Sequence, residues 1–250
     1  LSTTGILEAR AGLLARMTAP DFSAIVVEPL GDLAAGHLNR GLLRAHGMDE
    51  AGDPDHPAVG GHDAMWFAIR DLAFGAGAYP LPEPPISGSR PTRREMVEIP
   101  GENEQIIKVL MNALMLEVRA QAFFEYCQKL LRNPANFPGR HEEATAACRI
   151  VDRIAQDEQI HIAYLNVFLS ELRASTFRTI DGGETRGSAI LDPVWDKMIE
   201  WHANSEIKSA ASRRENAEAQ IRESMGPAAQ DLLERFEALQ AVGASCAVSA

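Results

Sequence analysis

The sequence has few cysteines and no long apolar run. Its cysteines, Cys127, Cys148 and Cys246, lie far apart in the chain and form no Cys-x-x-Cys pair. This spacing favours reduced thiols and a cytoplasmic location, with a single disulfide left open. No apolar segment approaches the roughly 20 residues that a membrane-spanning helix needs, and no signal-peptide pattern is visible.

The chain is also poor in positive charge. It has 24 Lys and Arg residues against 35 Asp and Glu residues, which gives a net charge of −11. Phosphate groups are bound by an excess of Lys and Arg, so we expect neither nucleic acid nor an anionic membrane surface as a partner. The phosphate-binding loop, the dinucleotide fingerprint, the hydrolase nucleophile elbow and the His-Glu-x-x-His zinc motif are all missing.

Helix-breaking residues are missing from most of the segment 102–181. All of its prolines and glycines fall in one stretch, NPANFPG, at 133–139. Two long helices joined by a tight turn explain this distribution, and we predict them over 103–132 and 142–174.

The regions on either side carry weaker signals. Downstream, Asp192 as N-cap and Pro193 at the first helical position predict a helix over 193–223, preceded by a loop at 181–190. A shorter helix is predicted over 227–241, after Gly-Pro.

Upstream, residues 23–46 indicate a helix interrupted by glycines, although AIVVEPL within them is also compatible with extended chain. We predict a loop at 49–61, a helix over 62–78 and a Pro-rich connector over 80–100. No alternation of strands and helices is visible, so the predicted class is all-α.

Together these signals predict one helical domain. Its parts are N-terminal helices with the Pro-rich connector at 23–101, bundle helices at 102–223 and a C-terminal helix at 227–241, within a domain of residues 1–250.

The second long helix carries two polar residues on its apolar face. Steps of four and three residues along 142–174 follow one face of a helix. That face reads Ala147, Val151, Ile154, Glu158, His161, Leu165, Phe168, Leu172. Glu158 and His161 stand among apolar side chains, so we expect both to be buried.

The first long helix places a glutamate at the same height. Its apolar face reads Ile107, Leu110, Leu114, Glu117, Gln121, Phe124, Gln128, Leu131. A short turn makes the two helices antiparallel. Glu117 lies 20 residues before residue 137, the middle of the turn, and Glu158 and His161 lie 21 and 24 residues after it. A buried carboxylate needs compensation, which a divalent metal with an imidazole co-ligand supplies.

One glutamate on a helix, followed on the next helix by EQIH at 158–161, resembles half of the ferritin-like di-iron carboxylate site. The resemblance covers about residues 103–174. It implies a ferritin-like helical bundle, with accessory helices at both ends. By this resemblance Glu158 would bridge two metals, and Glu117 and His161 would be terminal ligands on one of them.

The resemblance also implies a chemistry. Two iron ions, with manganese as the alternative, would activate O₂ to oxidise an organic small molecule. A separate reductase would supply electrons, and a homodimer is compatible with this organisation. The helices beyond a minimal bundle would enclose the substrate, which favours a non-haem di-iron oxidase or oxygenase over iron storage.

The second half of the chain departs from that pattern, because EQIH is its only Glu-x-x-His sequence. The helix predicted over 193–223 follows the one over 142–174, and residues equally far from the middle of their connection lie at the same height if the two helices are antiparallel. This construction places His202 and Glu206 near the height of Glu158 and His161. His62 lies on an apolar stripe of its own helix, and His37 follows a short apolar pattern. These four residues are the candidates to complete a second metal position, and one or two metals stay open.

Three other interpretations are compatible with the same residues. Glu158 and His161 could form a buried polar pair joined to Arg119 or Arg153. The same ligands could serve a ferroxidase or a metal-storage protein. A metal-free helical binding module would also bury the long apolar faces.

Overall fold

The computed structural model describes residues 1–56, 58–78, 93–234 and 237. The described part is mostly helical, in agreement with the predicted all-α class. Its α-helices are α1 Ser2–Ala11, α2 Leu42–Ala51, α3 His62–Phe74, α4 Gly101–Arg132, α5 His141–Ala174 and α6 Gly187–Met225. Short 3₁₀ helices lie at Gly12–Arg16, Phe22–Ala24, Leu30–Asp32, Ala34–Arg40 and Pro134–Asn136.

The two long predicted helices are confirmed as α4 and α5. Both are rich in helix-forming residues and carry acidic side chains in the first turn, where the helix dipole favours negative charge. The NPANFPG stretch ends α4 and contains the turn. Because the turn is short, α4 and α5 pack along their lengths.

The core that positions the site lies where α3, α4 and α5 meet. Trp66 and Ile69 of α3 pack with Phe124 of α4 and with Val151 and Ile154 of α5, and all five side chains are buried. α1 packs on α3 and α2, and α2 packs on the 3₁₀ helix Gly12–Arg16. The α3 helix was expected over 62–78 and ends earlier, at Phe74, where Gly75 adopts a positive φ of 95°.

The N-terminal region differs from the prediction. The expected helix over 23–46 is confirmed only from Leu42, where α2 begins, and short 3₁₀ helices and irregular chain precede it; the expected loop at 49–61 begins inside α2. Val26 pairs with Phe177, so the AIVVEPL stretch is locally extended. Glycines and a proline within 23–46 weaken a continuous helix, and tertiary contacts decide the outcome.

Two carboxylates attach this N-terminal region to the end of α5. Glu171 accepts a hydrogen bond from the backbone N–H of Ala34, with 2.6 Å between the atoms. Glu28 accepts from the N–H of Thr176 at 2.9 and 3.0 Å. The chain entering α2 is thereby held against the C-terminal end of α5.

The connection after α5 is a hairpin, not the loop expected at 181–190. Strand β1, Thr176–Arg178, pairs antiparallel with β2, Glu184–Arg186, in the register Phe177↔Thr185. Helix α6 then begins at Gly187, before the expected start at 193, and Pro193 lies inside it. Asp192 binds Arg173 at 2.8 Å instead of capping the helix.

The described chain divides into two compact units, residues 1–194 and residues from 195 onward. In the second unit, residues 228–234 are helical, and the rest of the helix predicted over 227–241 lies outside the described residues, apart from position 237. Most of the connector predicted over 80–100 is also outside them. None of the helices in the described part of the chain is long and apolar enough to cross a membrane.

Candidate metal centre

Helix α5 places Glu158 and His161 together inside the first unit. Their separation of three residues puts both on the buried face of the helix, where they are 1% and 2% exposed. The Nδ1 atom of His161 lies 2.9 Å from Oε2 of Glu158. The expected burial of these two polar side chains is therefore present in the structure.

Helix α4 brings Glu117 to the same place. Its Oε1 atom lies 4.0 Å from Nδ1 of His161. The antiparallel pairing of α4 and α5 about the short turn produces this contact between residues far apart in sequence. The three residues expected at one height in the bundle thus converge.

His62 joins them from the first residue of α3. Its Nδ1 atom lies 3.1 Å from Oε1 of Glu158, and its side chain is 2% exposed. Of the candidates proposed for a second metal position, the structure brings His62 to Glu158.

Helix α2 supplies His46 and Glu50, which the sequence analysis did not single out. Oε1 of Glu50 lies 3.2 Å from Nδ1 of His161, 3.5 Å from Nδ1 of His62 and 3.7 Å from Nε2 of His46. Nε2 of His46 lies 3.2 Å from Oε1 of Glu117. The sequence feature that could have identified His46 and Glu50 is their His-x-x-x-Glu spacing, which puts both side chains on one face of a helix.

These side chains form two groups that could each hold a metal ion. The ligand atoms within each group lie within 4.8 Å of one another. The groups are His46, Glu50, Glu117, His161 and Glu50, His62, Glu158. Glu50 belongs to both groups, whereas the resemblance assigned the bridging role to Glu158.

Each histidine turns its second ring nitrogen toward an outer partner. Nε2 of His161 lies 3.1 Å from Oδ2 of Asp49, and Nδ1 of His46 lies 2.6 Å from the hydroxyl of Tyr164. For His62, the outer contact is Asp157, whose Oδ2 is 3.7 Å from Nε2. Histidine ligands of metals are commonly oriented in this way by a hydrogen bond on the far nitrogen.

Several buried polar atoms of the cluster have no hydrogen-bond partner. They are both carboxylate oxygens of Glu50 and both ring nitrogens of His62. A buried polar atom left unpaired costs about 1–3 kcal/mol, and more when it is charged. A cation inside the cluster would satisfy the Glu50 oxygens and Nδ1 of His62, so the residues present fit a metal ion.

The charge state of the cluster follows from burial and from these contacts. Burial lowers the pKa of His161, but hydrogen bonds to carboxylates, led by Asp49, outweigh it and raise that pKa to about 12. Burial raises the pKa of Glu117 to about 11, and the nearby Glu158 adds to the effect. Burial also opposes ionisation of Glu158, yet the hydrogen bonds of its carboxylate with His161, His62 and Glu117 together outweigh burial, and the pKa falls to about 2. Protons therefore balance the carboxylates, and a bound cation would replace them.

Three candidates remain: His37, His202 and Glu206. His37 is partly exposed, and its Nε2 lies 3.0 Å from the carbonyl oxygen of Gly31. His202 belongs to the second unit, where its ring lies edge-on to Trp201 with 4.8 Å between centroids. The side chain of Glu206 lies outside the described residues.

No protein-family model, curated protein or solved structure matches the chain. The fold and the site define a class of helical protein with a candidate metal centre. The protein is mostly helical and carries buried histidine and glutamate groups that could hold metal ions.

Proposed function

We propose that the protein binds two metal ions in this cluster, iron in the first place, and uses them with O₂ to oxidise a small organic molecule. The observation that carries the proposal is the position of Glu50. Its carboxylate belongs to both groups of ligand atoms, so one side chain would link two metal positions.

A polar network without metal explains the cluster less well. Arg153, one expected partner of Glu158, instead binds Asp157 at 2.9 Å. The Glu50 oxygens and His62 nitrogens make no hydrogen bond of good geometry, although His161 lies 3.2 Å from Glu50 and Glu158 lies 3.1 Å from His62. Native proteins satisfy nearly all such atoms, so the arrangement favours a ligand that is a cation.

The donor set favours iron or manganese. Imidazole nitrogens suit iron and zinc, carboxylate oxygens suit manganese and magnesium, and mixed sets with open positions are typical of non-haem iron enzymes. When bound, two such ions supply the electrons and the Lewis acidity for reaction with O₂. The ferritin-like resemblance points to the same metals.

The chain's own residues would hold and shield this chemistry. Glu50, Glu158, His62 and His161 are at most 2% exposed, so bulk water has little access to the ligand atoms. Tyr164 and Asp49 hold the rings of His46 and His161 from outside through hydrogen bonds. A dry site with oriented ligands favours a controlled oxidation of a bound molecule.

Metal content tests the proposal. Wild type and Glu50→Gln are loaded anaerobically with Fe(II), desalted and measured by plasma mass spectrometry. We expect about two irons per chain in the wild type, because the two groups form a dinuclear site, and fewer than about one in the variant. Glu125→Gln, an exposed acid on α4, is the matched control and should retain the wild-type content.

Other results would redirect the assignment. Wild type without iron or manganese, or Glu50→Gln with full content, would overturn the dinuclear proposal. Uptake far beyond two irons per chain in air would favour a ferroxidase or storage protein. A metal equivalent lost on His202→Ala would assign His202 as a further ligand.

Oxygen consumption by the Fe(II)-loaded protein, followed with an electrode, then tests the reaction with O₂.

A further inference from the structure

A groove of about 520 Å³ runs between α3 and α5 beside the candidate metal centre. It begins at Gly60 and Gly61, directly before His62. Its lining is apolar apart from two guanidinium groups: Ala64, Met65, Ala68, Ile150, Arg149, Arg153. Its volume lies in the range of roughly 300–1,000 Å³ that small-molecule sites occupy.

The two arginines lie one helical turn apart on α5, so their guanidinium groups can act together. They stand out in a chain with a net charge of −11. A guanidinium group binds a carboxylate through two parallel hydrogen bonds, which gives orientation as well as attraction. Although Arg153 also pairs with Asp157, two guanidinium groups against one carboxylate leave an excess of positive charge, which suits an organic anion better than an amine.

The groove has a direction relative to the metal ligands. Arg153 binds Asp157, and Asp157 lies 3.7 Å from the outer ring nitrogen of His62. The arginine end is thus next to the metal group that contains His62. Two other lining residues, Ala146 of α5 and Leu72 of α3, lie farther from the metal ligands along their helices.

We infer that this groove binds the substrate and that the substrate is a carboxylic acid with an apolar body. The acid group binds to Arg149 and Arg153, near His62, and the apolar body lies along α3 and α5 away from the ligands. The inference rests on the proposed function, since it assigns the substrate class of that same centre. Oxidation would then fall near the acid group rather than at the far end of the molecule.

Binding of a matched pair of probes tests the chemistry of the groove. Calorimetry on the whole protein compares 4-phenylbutyrate with 4-phenylbutylamine, which share an apolar body and differ in charge. We expect the acid to bind and the amine to bind at least about tenfold more weakly. Equal affinity for the two, or no binding of the acid, would overturn the inference.

Two substitutions locate the binding. Arg149→Gln should weaken 4-phenylbutyrate about tenfold, and Ala68→Trp should block the groove because Ala68 is an exposed lining residue. Arg132→Gln is the control, since Arg132 is exposed and binds Asp152 on the same helix pair. All three variants should keep the wild-type metal content. Unchanged affinity in both groove variants would place the acid elsewhere and refute the assignment.

Paramagnetic broadening tests whether the groove serves the metal centre. In protein loaded with Mn(II), the protons next to the carboxyl group of 4-phenylbutyrate should broaden more than the ring protons. Broadening in the opposite order, or none in protein that holds Mn(II), would refute the inference while leaving the metal centre intact. Absence of bound metal from protein loaded with Mn(II) and from protein loaded anaerobically with Fe(II) would instead refute the proposed function.

Discussion

At the scale of single residues, the histidines of the cluster are oriented from both sides. Each turns one ring nitrogen toward Glu50, Glu117 or Glu158 and the other toward an outer side chain. For His46 and His161 the outer contact is a hydrogen bond, which selects the tautomer and leaves the inner nitrogen free to bind a cation. The outer side chains should therefore affect metal affinity without being ligands.

Asp49→Ala tests this at His161. Removal of the carboxylate at 3.1 Å from Nε2 leaves the ring free to rotate, so we expect the dissociation constant for Mn(II) to rise about 10–100-fold. Free Mn(II) is followed by electron paramagnetic resonance during an anaerobic titration. Asp152→Ala removes an equally charged side chain of similar exposure, 40% against 48%, and should leave the affinity unchanged. A loss of affinity in both variants would indicate a general charge effect.

The sequence predicts the ligands of the long helices and misses those of the short one. Glu117, Glu158 and His161 interrupt regular apolar faces, so periodicity alone marks them as buried. His46 and Glu50 lie in a segment without such a face, around Gly47, and nothing local shows that they are buried. Their position depends on tertiary contacts of α2, which a local pattern does not contain.

At the scale of elements, α2 is short and closely packed. A Cβ atom at Gly47 would lie 2.8 Å from Cβ of Ala15 and closer still to the Ala15 backbone nitrogen. Gly47 directly follows His46 in the chain. The absence of a side chain there lets α2 approach the 3₁₀ helix Gly12–Arg16 and places its two ligands in the cluster.

Gly47→Ala should therefore destabilise the protein and weaken metal binding. Helix propensity alone favours Ala by about 1 kcal/mol, but a clash with backbone costs about 1–3 kcal/mol and requires α2 to move. Urea denaturation of the metal-free protein and the Mn(II) titration measure the two effects. Gly31→Ala is the control, because a Cβ there meets no atom within 4 Å, and a change below about 0.5 kcal/mol is expected. A stabilised Gly47→Ala would contradict the close approach.

The first turn of α4 gives a pH-dependent contribution to stability. Glu104 is 3% exposed, accepts a hydrogen bond from the N–H of Glu95 at 2.7 Å and pairs with Arg94. Burial raises the pKa of Glu104, but these hydrogen bonds outweigh it and leave the pKa below its usual range. A depressed pKa in the folded state gives stability that is present above the unfolded pKa and is lost as pH falls through the folded one.

Glu104→Gln should therefore be less stable than wild type by about 1–2 kcal/mol near pH 7, since hydrogen bonds to a charged group are lost. The difference should shrink as the pH falls below about 4.5, where the wild-type carboxylate also takes up a proton. Urea denaturation between pH 3 and pH 8 measures it. A difference independent of pH would show that the ionised carboxylate is not the source of the stability.

Prediction of elements succeeds where one pattern continues over many residues. Helices α4 and α5 have a long apolar period and a single break, so local signals suffice. The hairpin of Thr176–Arg178 and Glu184–Arg186 is too short to show an alternation, and it depends on Val26, about 150 residues earlier. The early start of α6 follows from that hairpin, because β2 leads directly into the helix.

At the scale of the whole molecule, the ligands of the cluster come from four helices between residues 42 and 174. Cations that occupy the two groups of ligands bind the folded chain and not the unfolded one. Metal binding should therefore stabilise the fold as a unit.

The midpoint of thermal unfolding should rise by about 5–10 °C when Mn(II) is present at a hundred times its dissociation constant. This rise corresponds to about 2.7 kcal/mol of linkage from a single occupied site in a chain of this size, and a second site of equal affinity would double it. Scanning calorimetry with and without the metal measures it, and a chelator should reverse the change. Glu50→Gln should show little of the shift. An equal shift in that variant would mean that the metal binds elsewhere.

The attachment of the N-terminal region to the end of α5 has a mechanical consequence. α5 carries Glu158 and His161, packs against the helices that carry Glu117 and His62, and holds the chain entering α2 through Glu28 and Glu171. The helices that supply the other ligands are thus attached to α5 directly or through the chain that precedes them. A displacement of α5 relative to its neighbours would therefore change the distances from Glu158 and His161 to ligand atoms on several helices at once, which couples the end of α5 to the geometry of the centre.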